Sequence, residues 1–245
     1  MAVSTQITTL GYTSTSPLQV ETLVVAGTVT TAGNATVIVT SRDLPSSPIT
    51  LSVAVALSDT ATLVGGKVRT ALNANAEILS VFSVSGASAN VVLTRVAPAS
   101  NDATLNVSIT NGTSAGLTPV PTSTNTTAGG TYVKLVDIVN YPDMGSAPSK
   151  LDTTTLSEVK FKTSILGLQE VPDLTFEANY DKAVYNTISA ITGEQFFELK
   201  FGTTDGTFNW KGQVAVYSNG AGVDEVRKMT VVLSASTPIT FSLGG

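Results

Sequence analysis

The final part of the chain alternates apolar and polar residues with a period of two, which is typical of half-buried strands. This alternation predicts strands at 174–180, 196–201, 207–217 and 226–234, and a short last strand at 239–241. Residues 181–191 instead carry apolar side chains at helical spacing, with Asp181 near the start and Gly193 past the end. The segment is therefore predicted to be a β meander with one flanking helix.

The predicted strands have one dry face and one wet face. Large apolar residues, among them Phe176, Phe197 and Trp210, lie on the dry face. The wet face carries these charged and amide side chains: Glu177, Glu198, Lys200, Asn209, Lys211, Gln213 and Lys228. Pattern alone favours an ordinary half-exposed sheet under a helix, and a register slip of one residue would exchange the two faces.

Residues 18–129 predict a second, different unit. Strands are expected at 23–30, 35–40, 49–56 and 105–109, and a hairpin about Gly86 joins strands at 82–84 and 91–94. Between them, residues 60–73 place apolar side chains on one helical face, with Asp59 as the predicted N-cap. Gly65 and Gly66 weaken this helix, and close packing on a sheet would explain both. The prediction is a small α+β sandwich.

This middle region is predicted to be an insertion. Phe82 is its one aromatic residue, whereas the other fourteen lie at Tyr12 or from Tyr132 onward, so two separate cores are expected. Polar linkers at 13–17 and 121–130 flank the region. If it were removed, strands at 7–12 and 132–139 would form an ordinary hairpin. We therefore expect one discontinuous domain, 1–17 with 130–245, and an inserted domain, 18–129, placed where insertions cost little.

Hydrophobic periodicity stops between Tyr141 and Lys162. This stretch contains two prolines and many small polar residues, which predicts a long loop or arm. Structureless segments of this length inside a compact domain are uncommon and are usually functional. We expect the arm to contact another copy of the chain.

Several short motifs in and after this arm occur in an order that resembles the tail tube (major tail) proteins of long-tailed bacteriophages. The matching residues are Pro142, Gly145, Ala147, Pro148, Lys150, Leu151, Asp152, Thr154, Thr155, Leu156, Gly167, Leu168, Gln169, Asp173, Leu174, Thr175 and Phe176. The resemblance covers about 130–245 and the first dozen residues, and it does not cover 18–129.

The resemblance implies a mainly β fold, a tail-tube-type barrel or sandwich whose strands join a ring-wide inner barrel. Hexameric rings would stack into a tube through which DNA passes, without specific binding, into the host. The wet-face residues given above would then line the lumen. The inter-ring contacts would come from the arm: Pro142, Met144, Pro148, Lys150, Asp152 and Leu156. Further partners would be tail proteins such as the tape measure and the terminator.

Composition excludes much other chemistry. The chain has no cysteine and no histidine, so it cannot form a disulfide, a Cys/His zinc site or a Ser-His-Asp triad, and no cofactor is expected. The net charge is −5, which argues against a basic groove that grips nucleic acid. No apolar run approaches the length of a membrane span, and the first residues do not form a signal peptide. We therefore expect synthesis in the cytoplasm of a host bacterium and a final place in the virion tail.

The same residues leave other functions open. A tail-tip or surface adhesin, with 18–129 as the recognition module, is the main alternative. Glu194, Glu198, Asp224 and Glu225 could form a hydrolase acid/base pair, but no pattern brings them together. Asp137, Asp143 and Asp152 match no metal-binding loop. A structural protein without enzymatic activity is the preferred interpretation.

Overall fold

The computed structural model describes residues 8–15, 17–155, 161–202 and 205–243. Strands account for 47% of the chain and helices for 12%, so the predicted mainly β class is confirmed. The helices are α1 (Ala61–Asn73), α2 (Ala76–Val81) and α3 (Lys182–Ser189). None of the helices in these ranges is long and apolar enough to cross a membrane.

The strands fall into two sets. Those within residues 18–129 are β2 (Val20–Val24), β3 (Ala26–Thr31), β4 (Gly33–Thr40), β5 (Ile49–Val55), β6 (Phe82–Ser85), β7 (Asn90–Arg95), β8 (Asn106–Thr110), β9 (Ala115–Thr118) and β10 (Thr124–Thr127). The others are β1 (Thr8–Thr13), β11 (Val133–Val136), β12 (Ile138–Asn140), β13 (Lys150–Asp152), β14 (Ser164–Leu166), β15 (Leu174–Asn179), β16 (Gln195–Phe201), β17 (Thr207–Ser218), β18 (Lys228–Ala235) and β19 (Thr240–Ser242). We call 18–129 the insert and the remaining described residues the main unit.

The main unit is built on one antiparallel sheet with the order β11-β1-β16-β17-β18-β15-β12, and β19 pairs with β17. Only Asp137 separates β11 from β12, although these two strands lie at opposite ends of the sheet order. The segment predicted as one strand at 132–139 is therefore two short strands that pair with different partners. Within the described ranges no sheet closes into a barrel.

The predicted hairpin between the first strand and the strand after the insert is confirmed. β1 and β11 pair antiparallel, with Leu10 opposite Val136 and Tyr12 opposite Val133. The sequence between them is the insert and its linkers. The chain thus leaves and re-enters the sheet at neighbouring positions.

The core of the main unit lies on the predicted dry face of the sheet. Phe176, Phe197, Leu199, Met229 and Val231 are fully buried. The Trp210 ring stacks between those of Phe176 and Phe197, with centroid distances of 6.4 and 6.0 Å. Helix α3 begins at the predicted cap, because the Asp181 carboxylate accepts hydrogen bonds from the backbone N–H groups of Ala183 and Val184.

The insert has its own buried cluster, which extends from Leu23 to Leu117 and includes Phe82. Its strands form the sheets β10-β2-β7-β6, β5-β4-β8 and β3-β9. The strand predicted at 23–30 is divided at Val25, because its two halves join different sheets. Helix α2 was not predicted at all.

Helix α1 matches its predicted range, but its cap differs from the prediction. Thr60, not Asp59, accepts the hydrogen bond from the Leu63 N–H, while Asp59 accepts one from Ala56 N–H and pairs with Lys67 at 2.5 Å. Close packing explains Gly65, because an added Cβ would lie 2.8 Å from the Ser88 carbonyl oxygen. Gly66 has ordinary space, so the same explanation is wrong there.

Asp102 and its neighbour Asn101 together join the two ends of the insert. The Asp102 backbone exchanges two hydrogen bonds with the Gln19 side chain, at 2.7 and 2.8 Å. Its buried carboxylate accepts hydrogen bonds from the Ser41 hydroxyl, the Arg42 N–H, and the N–H and hydroxyl of Thr104. The neighbouring Asn101 N–H donates to the Gly130 carbonyl at 3.1 Å. The entry and exit of the insert are therefore held together by hydrogen bonds rather than by loose linkers.

Candidate assembly surfaces

The predicted arm contributes one strand of a hairpin, β13, and the partner strand β14 lies just beyond the predicted end of the arm at Lys162. β13 pairs with β14, with Lys150 opposite Leu166 and Leu151 opposite Ile165. Further hydrogen bonds extend the ladder from Ser149 N–H to the Leu168 carbonyl, at 3.0 Å, and from Thr153 N–H to the Thr163 carbonyl, at 2.9 Å. We call residues 149–155 and 161–168 the arm hairpin. The sequence pattern missed this hairpin because its strands are three residues long and bury nothing.

The described part of the arm hairpin exposes large apolar side chains on both faces. Leu168 is 89% exposed and Phe161 is 83% exposed, and Leu151, Ile165 and Leu166 are each more than half exposed. The register places Leu151 and Ile165 on one face and Leu166 on the other. An isolated two-stranded hairpin is marginally stable in water. Exposed apolar groups on a marginal element make the arm hairpin a candidate interaction surface.

The predicted arm contacts divide into a base and a tip. Met144 packs against the core of the main unit, and the Tyr141 ring meets the Phe201 ring edge-on at 5.3 Å. Pro142 and Pro148 are half-buried, while Lys150 and Asp152 are exposed on β13. Leu156 lies outside the described residues. The base of the arm is thus anchored to the core, whereas the described residues of β13 are exposed to solvent.

Strand β17 offers a second surface, because half of it has a neighbour on one side only. Its first half pairs with β16 as far as Gly212, whereas residues 213–218 pair with β18 and, within the described chain, with no strand on the other side. Gln213, Ala215 and Tyr217 are exposed there. An unpaired strand edge is a template for pairing with another chain.

The wet face of the sheet is divided into an open half and a covered half. In the open half, Glu177 and Lys228 form a partly exposed ion pair at 3.3 Å, and Gln213 is exposed. In the covered half, Asn209 is only 3% exposed and donates a hydrogen bond to the Ser242 hydroxyl at 3.2 Å. The expectation that the Asn209 side chain is solvated is therefore wrong, because β19 and the insert lie over it.

The insert approaches the main unit beside Asn209, and a cleft runs between the two. One cavity of about 290 Å³ is lined by Val96 and Pro98 of the insert and by Phe196, Asn209 and Pro238 of the main unit. An adjoining cavity of about 310 Å³ shares the 96–98 loop and extends to Phe241 and the Asp43–Arg95 ion pair, whose atoms lie 2.9 Å apart. The insert therefore lies against part of the wet face.

The remaining predicted lumen residues lie at the border of this cleft. Lys211 pairs with Glu194 and lies 5.8 Å from the centre of the Phe196 ring. Lys200 is half-buried. Glu198 is also half-buried, and its Oε2 has no hydrogen-bond partner among the described residues. Burial raises the pKa of the Glu198 carboxyl, although Lys200 and Arg42 of the insert both act to lower it.

We expect the Glu198→Gln variant to be more stable than the wild type at neutral pH. A carboxyl with a raised pKa in the folded state favours folding when protonated, and this contribution is lost as the pH rises through the folded-state pKa. The gain in stability of the variant over the wild type should become smaller in acid. It should vanish below pH 4.5, the ordinary pKa of a glutamate carboxyl. Urea unfolding across this pH range measures it. Glu177→Gln, at the partly exposed pair, is the control and should change stability little; equal effects of both changes would contradict the assignment.

The acidic residues considered as metal ligands or as a hydrolase pair can be compared with their positions in the described part of the chain. In the described part of the chain, no three acidic residues lie close enough together to hold a metal ion. The residues weighed as a hydrolase pair have separate local contacts, since Glu194 pairs with Lys211 and Glu225 accepts a hydrogen bond from the Gly222 N–H at 2.8 Å. Comparison of the sequence with protein-family models gives no match, and comparison with curated proteins gives none either.

Proposed function

We propose that this chain is a structural, self-assembling subunit of a phage tail tube, which forms stacked hexameric rings and a conduit for DNA ejection. The observation that carries the proposal is the arm hairpin with exposed apolar side chains on both faces. Burial of apolar area is the main driving force of association. A second copy of the chain covers these apolar side chains, because stacked rings repeat the same contact surfaces in every subunit.

The half-paired strand β17 supports the same proposal. A neighbouring subunit that adds a strand along residues 213–218 extends the sheet from one subunit to the next, and a closed ring leaves no open edge. The ring-wide inner barrel thus arises between subunits. This agrees with the absence of a closed barrel within the described residues of a single chain.

The open half of the wet face is then the surface toward the bore. Glu177, Gln213 and Lys228 lie there, whereas Glu198 and Asn209 lie beside the insert, which we place outside the tube. The 130–245 segment carries nine Lys and Arg against thirteen Asp and Glu, so its net charge is −4. A weakly acidic bore lets DNA pass, because each basic contact with phosphate would add affinity and slow its movement.

The adhesin alternative has less support from the insert. Phe82, its one aromatic residue, is 1% exposed, so the insert offers no aromatic platform for a sugar. Electron microscopy of the purified chain separates the two functions. A tube subunit polymerises into hollow tubes of uniform width, whereas an adhesin stays a small oligomer with no tubes at any concentration.

A deletion tests whether the insert is a separate outer domain. We expect a variant that lacks 18–129, with Pro17 joined to Gly130, to form tubes of smaller outer diameter. β1 and β11 already pair directly, and the two buried clusters share no residue. Negative-stain micrographs of the variant and the full chain measure the diameters. A soluble variant that no longer assembles would show that the insert takes part in the tube wall.

A further inference from the structure

The chain contains two Asn-Gly pairs, Asn111-Gly112 and Asn219-Gly220. An asparagine followed by glycine is chemically labile, because the glycine N–H, unshielded by a side chain, attacks the amide carbon of the asparagine. Sequence alone makes the two sites equivalent. The structure places them in different environments.

Asn111 is held on both sides of its amide group. Its Oδ1 accepts a hydrogen bond from the Leu117 N–H at 2.8 Å, and its Nδ2 donates to the Leu117 carbonyl at 3.0 Å. Gly112 has a φ of 57° and packs so closely that an added Cβ would lie 2.3 Å from the Asn34 carbonyl oxygen. The amide cannot turn toward the Gly112 nitrogen without breaking these contacts.

Asn219 begins the connection between β17 and β18. Its Oδ1 accepts a hydrogen bond from the Thr230 hydroxyl at 2.8 Å, whereas no hydrogen bond of its Nδ2 occurs within the described residues. Gly220 is exposed, and a Cβ built there meets no atom within 4 Å. The hydroxyl donates to the oxygen on which negative charge develops during attack, and such a donor stabilises the transition state.

We propose that Asn219 is a site of spontaneous deamidation and that Asn111 is protected by the fold. The Gly220 nitrogen gives its proton to water and forms a bond to the Asn219 Cγ, the Cγ–Nδ2 bond breaks, and Nδ2 takes up a proton from water and leaves as ammonia. The resulting cyclic imide then takes up water, and hydrolysis at either carbonyl gives aspartate or isoaspartate. Water is the only other reactant.

The modification changes a surface that matters to the proposed assembly. Each deamidation adds one negative charge at the C-terminal end of β17. In this half of β17, residues 213–218 have a strand partner on one side only among the described residues. Isoaspartate also lengthens the main chain by one methylene at the residue whose N–H donates to the Lys228 carbonyl at 3.0 Å. Older chains therefore differ from new ones at the β17–β18 connection.

The test is peptide mapping of the full chain after incubation in mildly alkaline buffer. Tryptic cleavage after Lys211 and Arg227 separates Asn219 from Asn111, which lies between the cleavage sites at Arg95 and Lys134. Conversion of amide to acid should be at least about tenfold faster at Asn219, because two hydrogen bonds must break before Asn111 reacts. In denaturant the two rates should become similar, and Gly220→Ala should slow reaction at Asn219 in both states. Equal rates in the folded chain, or an intact Asn219, would overturn the proposal.

Discussion

A chain with Leu166→Thr and Leu168→Thr folds like the wild type but forms no tubes: this is the result we expect from the arm hairpin. Both leucines are largely exposed, so threonine costs the monomer little and preserves the preference for a strand. Full burial of one leucine contributes roughly 1.5–3 kcal/mol. Replacement of both leucines should therefore weaken each contact between copies by about 4 kcal/mol, which is roughly a thousandfold in affinity. Sedimentation and electron microscopy measure assembly, and thermal unfolding checks the fold.

The matched control for this variant lies in the insert. Leu57 and Leu63 are also more than half exposed, but they lie away from the proposed contacts between subunits. Leu57→Thr with Leu63→Thr should leave tube formation at the wild-type level. If both pairs of changes abolish tubes, or neither does, the arm hairpin is not the specific contact surface.

The second large effect is expected at Asp102. Replacement with alanine should lower the free energy of unfolding by about 3–5 kcal/mol, because it leaves the buried N–H and hydroxyl donors of Ser41, Arg42 and Thr104 without their acceptor. Asp102→Asn keeps the shape but puts an amide donor opposite groups that also donate, so we expect a smaller loss, about 1–3 kcal/mol. Denaturant unfolding measures both values. Asp181→Asn, at the exposed cap of α3, should change little, because asparagine also caps a helix well.

The pH dependence adds an independent check on Asp102. Burial raises the pKa of the Asp102 carboxyl, but hydrogen bonds from Thr104, Ser41 and Arg42 outweigh it and hold the pKa below the ordinary 3.8. A carboxyl with a lowered pKa stabilises the fold above its unfolded value, and this stability is lost as the pH falls through the folded-state pKa. The difference in the free energy of unfolding between the wild type and Asp102→Asn should therefore become smaller in strong acid. A constant difference would mean that the charge is not what stabilises the junction.

Strong periodicity predicted most of the main unit. The long strands β16, β17 and β18 and the capped helix α3 were found because each buries one face in a regular pattern. The pairing of β1 with β11 was also predicted, because polar linkers and a change in aromatic content mark an insertion. In these elements the local pattern and the tertiary environment agree.

The pattern failed where burial depends on distant parts of the chain. The alternating pattern places Asn209 on the solvated face, yet the 96–98 loop and the C-terminal strand β19 cover it. The break at Asp137 was missed because β11 and β12 are both apolar and only their partners differ. The arm hairpin was missed for the opposite reason, since its apolar residues contact no core. Side chains that pack on no core within the chain leave no regular hydrophobic period in its sequence.

The most direct test of the tube proposal is a cryo-electron-microscopy reconstruction of the assembled protein. The proposal predicts stacked hexameric rings in which the arm hairpin contacts the next ring and a neighbour pairs with residues 213–218. Glu177, Gln213 and Lys228 should face the bore, and the insert should lie on the outside. A reconstruction with the insert facing the bore, or with the arm hairpin in solvent and no contact between rings, would contradict it.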